Sequence, residues 1–222
     1  MVQLPFIFLL IHLIIDCASG FSTIQNGNAF SSVHDALSVV DQCSIDGKPS
    51  DNLYDAVRYL DKQALKLDDD EKKQLWNTAH GSWKLQLATG GGKFYKFKPV
   101  PIFAFAYLDD ENFGNGVGFN QDFILLSLLG PHEYNTKRRQ MVINIDDMFI
   151  CGNQITDLAP GFIQKSIGLG MRPSDYKAKG SRPPAFTFIA SSRNSLVARG
   201  GSGGIAIWTR LNKSIRSSAY NI

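Results

Sequence analysis

The sequence predicts a mainly β protein in which an antiparallel sheet, closed as a barrel or packed as a sandwich, follows one or two amphipathic helices. Between Leu53 and Ala64, apolar residues recur at helical spacing. From Gly81 onward, short β-rich runs alternate with Gly, Pro, Asn and Asp. The 15 Phe, 7 Tyr and 3 Trp of the chain suit a pleated, half-buried surface.

The composition indicates one globular domain with a modest extension, because 222 residues suffice for one well-buried core. A net charge of +3, with acids and bases interleaved, is too weak to predict a nucleic-acid partner. We expect a monomer. The three cysteines form no Cys-x-x-Cys pair, which favours free, mostly buried thiols.

The N-terminus has the features of a targeting segment. Residues 6–15 form an apolar run typical of a signal peptide and short for a membrane span, and Ala18-Ser19-Gly20 provides small residues for cleavage. We predict a signal peptide over 1–20; because no Lys or Arg precedes the run, a retained anchor is the alternative. Ala18 to Phe21 resembles the junction of bipartite plastid-targeting peptides in algae with complex plastids. An acid-poor transit peptide or leader is predicted over 21–49, and secretion is the alternative location.

A helical segment is predicted over 50–79. Asp51-Asn52 is a plausible N-cap, and the acidic run 68–70 ends the first helix and supplies negative charge to the start of a second. The same run could be taken for a metal site. Consecutive carboxylates do not share a helix face, however, so a solvated helix start is preferred.

The barrel domain is predicted over 80–213 and a tail over 214–222. The predicted strands are a meander of antiparallel hairpins at 83–88, 102–108, 119–129, 140–150, 185–190, 195–198 and 204–211. One long irregular stretch, 157–184, is predicted to be a functional lid near the barrel mouth or a mobile loop.

Two short motifs carry a family resemblance. Gly81-Ser82-Trp83 opens the first strand, and Leu196 to Gly200 forms a turn that leads into the apolar strand Gly204–Trp208. With the preceding helix, this order resembles the plastid lipid-associated proteins, or fibrillins, a lipocalin-like branch of the calycins. The resemblance implies a lipocalin-like β-barrel. The run 85–89 and the glycine triplet that follows it depart from the family pattern.

The resemblance also implies a function. Fibrillins associate with plastid membranes and lipid bodies and bind apolar molecules such as prenylquinones, carotenoids or fatty acids. The expected partners are therefore an apolar lipid or pigment and a peripheral membrane or lipid-body surface, and the expected location is the plastid. A structural coat protein without an internal ligand is the second hypothesis, and a lipid-modifying enzyme is the third.

Candidate ligand contacts are the large apolar side chains expected to face the barrel interior, with Arg199 placed to meet a carboxylate or quinone oxygen. The sequence leaves open whether the interior is hollow or filled. A second group is predicted to close one end of the barrel, with Arg210 packed on the Trp83 indole. The interior candidates are Phe103, Phe105, Tyr107, Phe123, Leu125 and Phe188, and the closure residues are Gly81, Trp83, Trp208 and Arg210.

A membrane-facing edge is predicted where cations and rings alternate. Its residues are Lys93, Phe94, Lys96, Phe97 and Lys98. Lysines near an anionic surface each contribute about 1 kcal/mol. The alternative is an ordinary strand with one buried aromatic face and one solvated lysine face.

No catalytic residue, cofactor or metal site is predicted. The one Gly-x-Ser-x-Gly match, Gly200 to Gly204, lies in a predicted turn between two strands and not at the strand-to-helix elbow of a hydrolase. His80 and His132 are the only histidines outside the signal peptide and leader. Metal-binding His-x-x-x-His and Cys-x-x-Cys spacings are also missing. The glycine-rich run 114–118 is interpreted as a turn or strand kink, because a phosphate loop would have to lead into a helix.

Overall fold

The computed structural model describes residues 30–89 and 96–221. The expected signal peptide, the first part of the leader, and Lys93 and Phe94 lie outside these ranges. Six α-helices are described: α1 Val33–Asp46, α2 Leu53–Ala64, α3 Asp69–Ala79, α4 Gly161–Ile167, α5 Pro173–Ala178 and α6 Arg216–Tyr220.

Eleven strands are described, and they belong to one sheet. Their bounds are β1 Gly81–Thr89, β2 Phe97–Pro99, β3 Phe103–Leu108, β4 Asn112–Asn120, β5 Phe123–Asn135, β6 Gln140–Ile143, β7 Asp147–Ile150, β8 Asn153–Gln154, β9 Ala185–Ser191, β10 Ser195–Gly200 and β11 Ile205–Arg210.

Eight of these strands close into an antiparallel barrel. The order around the ring is β4-β3-β1-β11-β10-β9-β6-β5, and pairing of β5 with β4 closes it. Strand β5 is long enough to pair twice along one edge: residues 132–135 pair with β6 and residues 126–129 pair with β7. The mainly β architecture expected from the sequence, an antiparallel barrel preceded by helices, is confirmed by this ring, although three helices and not one or two precede it.

One ring strand departs from the expected strand pattern. Strand β4 runs through the glycines that were interpreted as a turn or kink. A Cβ at Gly116 would lie 2.3 Å from the Leu126 carbonyl oxygen and 2.8 Å from the Phe105 ring. At Gly114, a Cβ would lie 1.9 Å from the Tyr220 hydroxyl. The glycines are therefore required by close packing within a strand, and the register shifts on either side of Gly118 agree with the expected strand kink and not with a turn.

Helices α1 and α2 cover the outer face of the barrel over β1, β9, β10 and β11. Ala36, Val40 and Cys43 of α1 are buried there, together with Val57 and Leu60 of α2. Arg199 and Asp61 form an ion pair at 2.7 Å that ties β10 to α2. Helix α1 lies inside the region expected to be leader, so the packed domain begins before residue 49.

Helix α3 covers one end of the barrel, which we call the closed end. The helix begins with a capping box, in which Asp68 accepts from the Glu71 amide at 2.8 Å and Glu71 accepts from the Asp68 amide at 2.9 Å. Leu75 and Ala79 are buried against the barrel interior. The acidic run therefore starts a helix, as expected.

The C-terminal region expected to be a tail contains α6. Ile215, Ala219 and Tyr220 are buried against the outer faces of β3, β5 and β7. The Tyr220 hydroxyl donates to the Leu128 carbonyl at 3.2 Å, and Ser127 donates to the Ala219 carbonyl at 2.8 Å. Helix α6 is thus part of the folded domain.

The long irregular stretch contains α4 and α5 and leads from β8 back to β9. We call residues 155–184 the lid. Gly170 donates to the Ile145 carbonyl at 2.7 Å, and the Arg172 guanidinium binds both carboxylate oxygens of Asp146, with Nη2 to Oδ2 at 3.1 Å. These contacts hold the lid at the end opposite α3, which we call the mouth.

Candidate functional site

Strand register fixes which side chains face the barrel interior. Directly paired antiparallel residues point to the same face, and the face alternates along each strand. Trp83 pairs with Ala106, Ala106 with Asn115, and Asn115 with Leu128. Because Trp83 lies in the interior cluster with Met141 and Phe188, this row faces inward.

The half of the interior next to α3 is filled. A cavity of about 10 Å³ remains there, which is room for about one water molecule. Side chains from seven strands, all of them large except Ala106, interdigitate around it: Trp83, Ala106, Leu108, Phe113, Met141, Phe186, Phe188, Leu196 and Trp208. No lipid-sized ligand fits in this half of the barrel.

The closed end is fastened by Arg210. Its guanidinium carbon lies 4.0 Å from the centre of the Trp83 ring. The same group donates to the carbonyls of Thr78, His80 and Arg193 at 2.7–2.8 Å. Two of these carbonyls belong to the end of α3 and its cap, so Arg210 satisfies helix-end acceptors while covering the indole.

The closed end also contains an aromatic cluster around Trp76. Tyr134 stacks on the Trp76 ring at 4.0 Å, and His80 and His132 approach it edge-on at 4.9 and 5.1 Å. Burial raises the pKa of Tyr134 to about 12. Burial lowers the pKa of His80, although the carboxylate of Asp110 opposes this shift. Burial therefore favours the neutral forms of Tyr134 and His80, and their rings pack between α3 and the barrel.

The half of the interior next to the mouth is different, because its wall is small, apolar and accessible. Ala104 pairs with Val117, and Val117 pairs with Leu126, one step toward the mouth from the buried row. All three are half-buried. The neighbouring inward residues on β1 and β11, also half-buried, are Leu85, Ala88 and Ala206. Together these six residues form what we call the mouth wall.

One polar side chain lies at the inner edge of the mouth wall. Asn115 faces inward and is half-buried. Within the described ranges, its amide has no hydrogen-bond partner among protein groups. A mostly apolar surface with one polar group directed into it is the usual composition of a small-molecule site.

The lid covers the mouth from one side. Ile167 of α4 is buried with Leu128 and Met148, and Ile163 packs at the edge of the same cluster. Leu126 of the mouth wall also contacts this cluster. The inner face of the lid therefore continues the apolar surface of the mouth wall.

The outer face of the lid carries a groove of about 620 Å³. Its lining combines apolar side chains with two lysines: Gly161, Phe162, Gln164, Lys165, Leu169, Met171 and Lys179. Phe162 is 71% exposed, and the nearby Leu158 is 80% exposed. The β4–β5 turn adds two more exposed rings at the mouth, Phe119 at 73% and Phe123 at 51%.

The predicted ligand contacts are distributed over three places. Phe188 lies in the filled interior. Phe103, Phe105 and Tyr107 lie on the outer face of β3 in the cluster under α6, which corrects their expected inward orientation. The aromatic residues of β3 were expected on its inward face because large apolar side chains are usually buried. Here they are buried on the outer face, since α6 covers that face.

The remaining predicted contacts also lie outside the filled interior. Phe123 and Leu125 are exposed beside the β4–β5 turn, where an irregular register interrupts the inward alternation. Arg199 points to the outer face and pairs with Asp61 rather than with the interior. Of the closure residues, Gly81, Trp83 and Arg210 converge at the closed end, and Trp208 lies deeper among the interior side chains.

The predicted membrane-facing edge is described only from Lys96 onward. Lys96 is exposed, and Lys98 is half-buried. Phe97 is 4% exposed and belongs to the core under α1 and α2, so its ring is unavailable to a membrane. Alternation with one buried aromatic face accounts for the described part of this segment.

The mouth wall was not identified from the sequence. Its members are mostly small or aliphatic, and Ala104 lies between two phenylalanines that attract attention first. Taking Trp83 as the inward reference and counting in steps of two would have selected Leu85 on β1. A pairing register was needed to transfer that choice to the other strands.

Residues 30–89 and 96–221 lack two other kinds of feature. They contain no group of three or more His, Cys, Asp or Glu side chains arranged to hold a metal ion. None of the helices described there is long and apolar enough to cross a membrane.

Comparison with known proteins finds similarity among solved structures. No protein-family model matches the chain, and no curated protein matches it. A lipocalin-like protein from Bacteroides uniformis is 14% identical, with a TM-score of 0.37, and the alignment covers 60% of this chain and 99% of that one. An uncharacterized protein from Bacteroides eggerthii is 12% identical, with a TM-score of 0.38 and coverage of 60% and 98%. The architecture stated above rests on the closed ring of strands, and membership of the fibrillin family stays a prediction.

Proposed function

We propose that this protein binds a small apolar molecule at the mouth of its barrel and has no catalytic role. The observation that carries the proposal is the contrast between the two halves of the interior. Side chains fill the half next to α3, whereas the mouth wall is apolar and half-exposed. An apolar ligand seated between the mouth wall and the inner face of the lid would remove this surface from water.

The ligand classes follow from the shape and chemistry of the mouth. Because the deep interior is filled, a long ligand would lie across the mouth with part of its chain outside. Prenylquinones, carotenoids and fatty acids have such chains, and plastid membranes and lipid bodies contain them. Asn115 offers a hydrogen bond to a quinone oxygen or a carboxyl group, which a hydrocarbon carotenoid lacks.

A titration tests the proposal. A short-chain prenylquinone, a fatty acid and β-carotene would each be added to the full chain while tryptophan fluorescence is recorded. The A104F substitution places a ring on the mouth wall and should weaken binding by at least about tenfold. A185F makes the same change on the outer face of β9 and should leave affinity unaltered. Absence of binding by all three ligands, or equal affinity of A104F and the parent, contradicts the proposal.

The polar group provides a finer test. Replacement of Asn115 by Leu removes a hydrogen bond of about 1 kcal/mol and should weaken prenylquinone or fatty-acid binding about fivefold. Binding of β-carotene should not weaken. Equal loss of affinity for all three ligands would show that Asn115 shapes the wall without recognising an oxygen.

A second function is favoured by the filled deep interior. A barrel with a filled interior suits a coat protein that has no internal ligand and that covers plastid lipid bodies through the predicted membrane-facing edge. Flotation with anionic liposomes before and after charge reversal at Lys93, Lys96 and Lys98 tests this function. Unchanged flotation of the triple variant would argue against it.

A further inference from the structure

We propose that the outer face of the lid docks the barrel mouth onto an anionic lipid surface. This face consists of Leu158, Phe162, Lys165 and Lys179, and we call it the docking face. The inference rests on the proposed function in one respect: docking brings the mouth to a source of apolar ligand. The contacts that argue for docking do not themselves involve a bound ligand.

Helix α4 packs one face against the barrel and leaves the opposite face uncovered. Ile163 and Ile167 pack toward the barrel, where Ile167 is buried. Phe162 and Lys165 are three residues apart and therefore share the opposite face of the helix. Phe162 is 71% exposed there, although removal of an apolar ring from water is favourable. A partner that covers this ring would recover that stabilisation.

Charge on the docking face identifies the partner. In the described part of the chain, no carboxylate lies within 4.0 Å of the Lys165 or Lys179 ammonium. Lys179 instead donates to the sulfur of Met171 at 3.4 Å. Unpaired lysines beside exposed apolar side chains match an anionic headgroup layer above an acyl layer.

The composition of the whole lid supports the same partner. Its basic residues are Lys165, Arg172, Lys177, Lys179 and Arg182, and its acidic residues are Asp157 and Asp175. Arg172 is already paired with Asp146, so the excess positive charge lies with the lysines and Arg182. Leu158 and Phe162 are 80% and 71% exposed, so both can insert into the acyl layer while the lysines meet the headgroups.

Tryptophan fluorescence with brominated lipids tests the proposal in the full chain. The F162W variant places an indole on the docking face, and L65W places one on another exposed position, since Leu65 is 74% exposed at the end of α2. Vesicles contain brominated phosphatidylcholine, with or without phosphatidylglycerol. We expect bromine quenching of the added indole in F162W on anionic vesicles and none in L65W. Residues 6–15 are common to both variants, so vesicle binding through that run contributes equally.

Charge reversal completes the test. Adding K165E and K179E to F162W should weaken anionic-vesicle binding by tenfold or more, because each lysine near such a surface contributes about a fivefold factor. K73E at the closed end is the matched control and should leave quenching unchanged.

Three results would overturn the proposal. They are equal quenching of F162W and L65W, equal F162W quenching on neutral and anionic vesicles, and lipid-free dimerisation of the parent that an F162D substitution abolishes. The last result would assign the docking face to a second copy of the chain. A104F should retain full quenching in the F162W background, so failure of ligand binding and failure of docking are distinguishable.

Discussion

Replacement of Arg210 by Met should destabilise the fold without changing the mouth. The guanidinium donates three hydrogen bonds of 2.7–2.8 Å to backbone carbonyls and lies 4.0 Å from the Trp83 ring centre. A charged hydrogen bond contributes about 1.5–3 kcal/mol, and the cation–π contact adds about 0.5–2 kcal/mol. Because Arg210 is partly exposed, water can hydrogen-bond to the freed carbonyls in the variant and replace much of this stabilisation. We therefore expect the free energy of unfolding to fall by about 3 kcal/mol.

Urea unfolding followed by tryptophan fluorescence measures this loss. A decrease of about 3 kcal/mol corresponds to a melting temperature lower by about 6–12 °C for a domain of this size. R210K keeps the positive charge but lacks the planar guanidinium that donates to several carbonyls at once. Its free energy of unfolding should therefore fall by about half as much as that of R210M. Prenylquinone affinity should stay at the parent value in both variants while they are folded. An R210M variant within about 0.5 kcal/mol of the parent would refute the assignment of Arg210 as the fastening of the closed end.

Three further substitutions test other parts of the fold by the same unfolding assay. Y220A should lower the free energy of unfolding by about 3–5 kcal/mol, because the Tyr220 side chain is 1% exposed and its ring contacts Phe105, Tyr107 and Phe149. A decrease below about 1 kcal/mol would contradict the packing of α6 against the barrel. G116A should lower the free energy of unfolding by about 1–3 kcal/mol, because the added Cβ would lie 2.3 Å from the Leu126 carbonyl oxygen. G201A should not lower it, since its Cβ would have its nearest contact at 3.9 Å. Since burial lowers the pKa of His80, stability should fall as pH drops below about 6.5, and H80N should flatten that dependence; an equal slope in H80N and the parent would contradict this reasoning.

Much of the fold follows from local sequence patterns. The apolar spacing over Leu53–Ala64 and the acidic run at Asp68 place two helices, because amphipathic period and capping chemistry are local properties. The strand pair that brings Arg210 to Trp83 also follows from the two strand sequences. Each of these features depends on residues close together in the chain or on a distinctive side chain.

The mouth wall and the outer clusters depend on tertiary packing and were not predicted. The inward face of β3 carries alanines, because α6 buries the phenylalanines on the other face. Strand β4 contains glycines, since Phe105 and Tyr220 fill the space over them. Neither fact is visible before it is known which segment covers which face. The lid helices are only seven and six residues long, and such short helices depend on the contacts they make.

The double pairing of β5 has a consequence for how a ligand enters. Strand β6 links β5 to β9 only beside residues 132–135, and β7 turns away without reaching β9. Toward the mouth, the barrel wall is therefore a seam without inter-strand hydrogen bonds, spanned by the lid. Swinging the lid aside breaks its side-chain contacts and a few loop hydrogen bonds but none of the ladder that closes the ring. Under the proposed function, we expect an apolar chain to enter sideways through this seam while the closed end stays folded.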